Sequence, residues 1–181
     1  AFFEISTGSR TQFTFNLEEC KAINSEMLEE CQLERDEGQF KCEDDKEYDC
    51  KLLARRAEKK ARIEYQECLL EGYPAGTCWA VLEYKLSLIA SDLANCLLGI
   101  NDFHYPQYGG ILSEYIECKN FVKSKYCRCV RLANSIYQEC VRVVASGTNI
   151  DGLQLLKIQE SSFTEGELSL GSLAYECSPA S

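Results

Sequence analysis

Proline is scarce in this chain, with three in 181 residues, and so are histidine, methionine and tryptophan, with one of each. Cations are also in deficit. Nineteen Lys and Arg face twenty-nine Asp and Glu, for a net charge of -10 and a pI of about 4.7. A nucleic-acid partner is excluded on that ground, because phosphate binding needs clustered cations, and attraction to an anionic membrane is weakened. Long apolar runs are missing too. The most apolar stretch, Trp79 to Ile100, is interrupted by Glu83, Lys85 and Asp92. It reads as a buried core helix, and no transmembrane segment is expected. No Asn-x-Ser/Thr acceptor occurs, so no N-glycan is expected.

Cysteine is abundant. Twelve occur, at 20, 31, 42, 50, 68, 78, 96, 118, 127, 129, 140 and 177. Cytosolic thiols are kept reduced, so an even set this dense points to a secreted, extracellular chain with a disulfide framework. Zinc is the rival, but zinc sites use cysteines two to four residues apart, often with histidine. Here the one close pair is Cys127 and Cys129, and the lone histidine is His104. The chain begins at Ala1, consistent with a removed signal peptide. At 45% hydrophobic and 27% charged it can bury a core.

Turn residues divide the chain into helical segments. Pro74 lies in a Gly-Tyr-Pro-Ala-Gly turn, Pro106 in a loop from Asn101 to Gly110, and Gly38 marks a further break. The expected helices run from about Leu17 to Glu37, Glu43 to Glu71, Gly76 to Leu98 and Ile111 to Ser146. Asn16 followed by Glu19 is an N-terminal capping signal. Residues 1–16 read as an extended segment, with some β structure expected at the termini, 17–147 as the bundle, and 148–181 as a strap tethered by a disulfide. Short echoes, such as Tyr65-Gln-Glu-Cys68 and Tyr137-Gln-Glu-Cys140, are better explained by shared packing geometry than by duplication.

Cysteine spacing predicts the pairing. Cys50 and Cys68 are five helical turns apart, as are Cys78 and Cys96, so each pair shares a face. Folding the second helix back on the third around Tyr73 sets Cys68 opposite Cys78 and Cys50 opposite Cys96. Ala54, Ala57 and Ala61 then face Leu82, Leu86 and Ile89. That small-against-large packing lets the backbones approach to the 4.4–6.8 Å that a disulfide needs between Cα atoms. Cys20, Cys31 and Cys42 repeat every eleven residues, as do Cys118, Cys129 and Cys140. An up-down-up-down bundle makes helices one and four antiparallel neighbours, pairing Cys20 with Cys140, Cys31 with Cys129 and Cys42 with Cys118. The parallel pairing fits the spacing equally well; only the bundle topology argues against it. Cys127 and Cys177 remain for the strap. Charge agrees with this neighbour relation: from Glu18 to Asp49 acids outnumber bases thirteen to four, and from Lys119 to Arg142 bases outnumber acids six to one.

Catalytic chemistry is not apparent. His104 has no nucleophile beside it in sequence, and no nucleophile-elbow, P-loop or dinucleotide motif occurs. The acidic run Glu43–Asp49 lacks the glycine and spacing of a calcium loop and suits a helix start. No metal and no cofactor is expected. Lys51, Arg55, Arg56, Lys59, Lys60 and Arg62 form an outward basic band, either a solvated face or a docking patch for an acidic partner. The loop carrying Phe103, His104, Tyr105 and Tyr108 is unusually aromatic, either an interaction hot spot or a plug closing the bundle end. The expectation is an all-α, disulfide-stapled antiparallel four-helix bundle. Its expected role is non-enzymatic: binding an extracellular protein as a signal, toxin or host-interaction factor. A carrier of a small apolar ligand or lipid and an extracellular structural or storage protein are the alternatives.

Overall fold

The computed structural model describes residues 16–146 and Cys177. The expected extended segment over 1–16, apart from Asn16, and the expected strap over 148–181, apart from Cys177, lie outside these residues. The fold is all-α, with α1 (Leu17–Leu70), α2 (Ala75–Leu98) and α3 (Gln107–Ser146), and no strand among the described residues.

Three helices replace the expected four. The first two expected helices are one continuous helix, and Gly38 does not break it. A helical glycine costs only about 1 kcal/mol relative to alanine, too little to end a helix by itself. Gly38 also lies between Cys31 and Cys42, each bonded to α3. Cys42 is therefore an interior residue of α1, not a corner residue. The fourth expected helix begins four residues early, at Gln107, directly after Pro106. Proline fixes the backbone angle suited to a first turn, and it ends the loop sooner than the two glycines suggest.

The described residues form two compact units. In one, Asn16 and residues 17–37 of α1 pair with residues 121–146 of α3. Asn16 and Glu19 close a capping box there: Glu19 N–H donates to Asn16 Oδ1 at 2.9 Å, and Asn16 N–H donates to Glu19 Oε2 at 3.1 Å. Cys20–Cys140 and Cys31–Cys129 join the helices with Cα atoms 5.7 Å apart, in antiparallel register. Cys127–Cys177 places Cys177 in the same unit, against Cys31, Tyr126 and Val130. The guanidinium of Arg35 stacks 4.5 Å from the Tyr126 ring centre, and Lys125 approaches Glu34 at 3.8 Å. The acidic and basic helices thus lie side by side here, although the exposed ion pair contributes little.

The second unit comprises residues 38–120. The remainder of α1 runs antiparallel to α2 through Cys50–Cys96 and Cys68–Cys78, and meets the first turns of α3 through Cys42–Cys118. Ala54 and Ala61 are buried against Leu82 and Ile89, with Ala57 and Leu86 beside them. Near Cys42, Lys46 is buried under the Tyr115 ring and ion-pairs with Glu43 at 3.0 Å. The Tyr115 hydroxyl donates to Glu43, which holds that carboxyl below its usual pKa. The α1–α2 turn uses Gly72 at φ 86°. Helix α2 ends on Gly99 at φ 75°: Gly99 N–H donates to Cys96 O, and Ile100 N–H donates to Asn95 O. That paired closure is a Schellman motif, which needs a left-handed residue at this place.

Candidate interaction surface

The segment after Gly99 is held by Asp92. This aspartate lies on the buried stripe of α2, in step with Cys78, Leu82, Ile89 and Cys96, and it is fully buried. A buried carboxylate must be satisfied by donors. His104 N–H donates to Oδ1 at 2.9 Å and Tyr105 N–H donates to Oδ2 at 2.8 Å. The His104 ring adds an Nδ1 contact to Oδ1 at 3.0 Å. Asn95 Nδ2 donates to Asp102 O at 2.8 Å and fixes the near side of the same loop. Both carboxylate oxygens are therefore engaged by the main chain, and the His104–Asp92 pair is a loop anchor.

The anchor turns the aromatic side chains inward. Phe103 and Tyr105 are partly buried against the core, and only His104 among the four expected contact residues is mostly exposed. Tyr108, expected on the surface loop, is instead fully buried in the first turn of α3. It packs on Cys50 and Cys96 and stacks on Phe103 with ring centres 5.3 Å apart. The reason is the early start of α3, which points Tyr108 at the α1–α2 pair. Its hydroxyl has no hydrogen-bond partner among the described residues, and burial, with the Asp92 charge second, pushes its pKa up to about 12. Tyr108 offers no surface to a partner; these aromatics close one end of the helix pair.

Exposed apolar side chains also occur towards the other end of this unit, on more than one face. Leu70 is 87% exposed, and Tyr73, Trp79, Val81 and Tyr84 are about half exposed or more. Trp79 stands edge-on to Tyr65, ring centres 6.0 Å apart. An open groove of about 640 Å³ runs beside Leu70 and Trp79, lined by charges of both signs, Arg55, Lys59 and Arg62 with Glu58 and Glu67. On the neighbouring edge Lys85 donates to Glu64 and lowers its pKa.

The chain matches no family model, no curated protein and no solved structure.

The basic band was visible in the sequence as an outward face; the apolar residues beside it were not. Their signal was there: α2 is apolar on more than one face, and Trp79, Val81 and Tyr84 fall off the Cys78–Leu82–Ile89 stripe. Asp92 also left a trace, as a lone carboxylate in step with that stripe. Among the described residues no group of three His, Cys, Asp or Glu is placed to hold a metal ion, the acidic run at Glu43–Asp49 included.

Proposed function

We propose that this is a secreted, non-enzymatic protein whose role is to bind another extracellular protein. The observation that carries the reading is the open groove where exposed Ile63, Leu70 and Trp79 come together beside Arg55 and Arg62, on a helix pair stapled at two places. Exposed apolar side chains grouped in a groove are a mark of interaction sites, and Trp and Arg are enriched where binding energy concentrates. Cys50–Cys96 and Cys68–Cys78 bracket Ile63 and Trp79 and hold them in one geometry, which lowers the ordering cost of association. Six disulfides support an oxidising compartment, and no described helix is long and apolar enough to cross a membrane. The carrier alternative is less favoured, because Ala54, Ala57 and Ala61 are packed directly against Leu82, Leu86 and Ile89 and leave little room between α1 and α2.

The test is affinity capture from the extracellular fluid of the source, using oxidised protein, with proteins and lipids identified in parallel by mass spectrometry. Saturable recovery of one protein is the expected result. Stoichiometric lipid with no protein would replace this reading with the carrier.

A further inference from the structure

The six disulfides are not equally open to a reductant. Nine of the twelve cysteines are buried, and Cys68, Cys118 and Cys129 are partly exposed. Their partners, Cys78, Cys42 and Cys31, are all buried. Exchange begins when an external thiolate attacks an accessible sulfur, and the partner sulfur departs as a thiolate. A buried departing thiolate needs protein donors in place of water. Cys31 and Cys42 lie in the interior of α1, where the N–H groups are already bonded to the preceding turn. Cys78 is instead the fourth residue of α2. A helical Cβ tilts toward the N-terminus, so its sulfur is set over the first turn, whose N–H groups favour negative charge. No side chain caps that turn, and it holds no acidic residue.

This bond also restrains the chain least. It closes ten residues, against 46 to 120 for the other five. No other bond lies inside it. When it opens, Cys50–Cys96 and the packing of Ala54 and Ala61 on Leu82 and Ile89 keep α1 on α2. We propose that Cys68–Cys78 is a redox switch at the hairpin tip, opened by a dithiol reductant of the thioredoxin class while the other five bonds stay closed. The reductant's thiolate bonds to Cys68 Sγ as the Cys68–Cys78 bond breaks, and the electron pair departs on Cys78 Sγ, which takes up a proton. The second thiol of the reductant then loses its proton, closes on the first and displaces Cys68, which is protonated in turn. The dithiol is oxidised to a disulfide, and the protein gains two electrons and two protons as two thiols. Exposed Glu67 and Glu71 stand near Cys68 along the chain and oppose an attacker that carries further negative charge, so the reductant is uncharged or cationic around its thiols. The switch does not depend on the protein-binding reading.

The probe is dithiothreitol, an uncharged dithiol, added to folded, oxidised protein without denaturant. Samples are quenched with iodoacetamide at intervals, and labelled cysteines are located by peptide mass mapping. Cys68 and Cys78 should be labelled first, at least about tenfold faster than any other pair, with helical circular dichroism unchanged. Hydrogen exchange between the two cysteines should quicken as the bond opens, while that of residues 50–61 should not. Another bond opening first, all six opening together with loss of helix, or unchanged exchange at the tip would overturn the proposal. A thioredoxin-type reductant with its second cysteine replaced by serine reports the direction of attack: its mixed disulfide should form on Cys68, and one on Cys78 would contradict the mechanism. Thr77→Asp puts an acid into the first turn of α2. Thr77 is exposed and an acid suits a helix start, so the fold should hold while opening slows by about threefold. An unchanged or faster rate would reject the helix terminus as the cause and overturn the proposal.

Discussion

Asp92 and Tyr108 sit close together in chain and core, yet their polar atoms are treated in opposite ways. Asp92 spends both oxygens on main-chain donors of the His104–Tyr105 loop. Removing them with Asp92→Ala should cost about 3 kcal/mol, since hydrogen bonds to a charged group contribute roughly 1.5–3 kcal/mol each and are not fully additive. The urea midpoint of the oxidised protein measures this, and Asp92→Asn, which keeps one good acceptor, should fall between. Tyr108 buries a hydroxyl with no partner. Tyr108→Phe should therefore be neutral or stabilising, because an unmade buried hydrogen bond is a cost. The same substitution tests pH dependence. A phenol whose folded pKa of about 12 exceeds its ordinary value near 10 adds stability that is complete below pH 10 and lost as pH climbs through 12. Denaturation at pH 9 and pH 11.5 should show a smaller alkaline loss in Tyr108→Phe than in the parent.

At the scale of elements, glycine was the ambiguous signal. Gly38 looked like a boundary and is an interior helical residue, while Gly99 is a real boundary. Composition alone does not separate them; the local conformation does. Gly99→Ala should destabilise by about 1–2 kcal/mol, the strain of a left-handed alanine. Gly110→Ala lies within α3 where an added Cβ meets nothing within 4 Å, and should stabilise by about 0.5–1 kcal/mol. Urea unfolding of both variants against the parent checks the opposite signs. Much of the rest was legible. The eleven- and eighteen-residue cysteine intervals place the bonded positions on common helix faces, and Asn16–Glu19 marks the start of α1 where the capping box forms. The aromatic loop was legible only as composition. Its inward turn depends on Asp92, twelve residues upstream of His104, and on an early α3, neither of which is a periodic signal.

For the whole molecule the six bonds matter through their order. Cys68–Cys78 lies inside Cys50–Cys96, which lies inside Cys42–Cys118, then Cys31–Cys129, then Cys20–Cys140. The outermost bond spans 120 residues, and alone it would restrict the unfolded chain by about 5 kcal/mol on loop-entropy grounds. With Cys31–Cys129 in place it closes only eleven residues on each side. The double variant Cys20→Ala/Cys140→Ala should therefore lose about 3 kcal/mol, the value of a short loop. Denaturant unfolding without reductant distinguishes the two figures.

Nesting also changes what a peptide-bond break means. Every bond from Cys20 to Cys177 lies within the span of at least one disulfide, so a single nick there leaves the pieces attached. Losing the hairpin tip that holds Cys68–Cys78 takes two cuts, one on each side, between it and Cys50–Cys96. On the α1 side trypsin finds Lys51, Arg55, Arg56, Lys59, Lys60 and Arg62; on the α2 side it finds Lys85 alone, held by Glu64. Brief trypsin treatment should thus yield fragments on a reducing gel while the band without reductant loses no more than the ten residues up to Arg10, the one cleavage site outside the disulfide spans. A molecule so linked can be cut once within its exposed cationic stretch and remain one molecule, with Leu70 and Trp79 still attached.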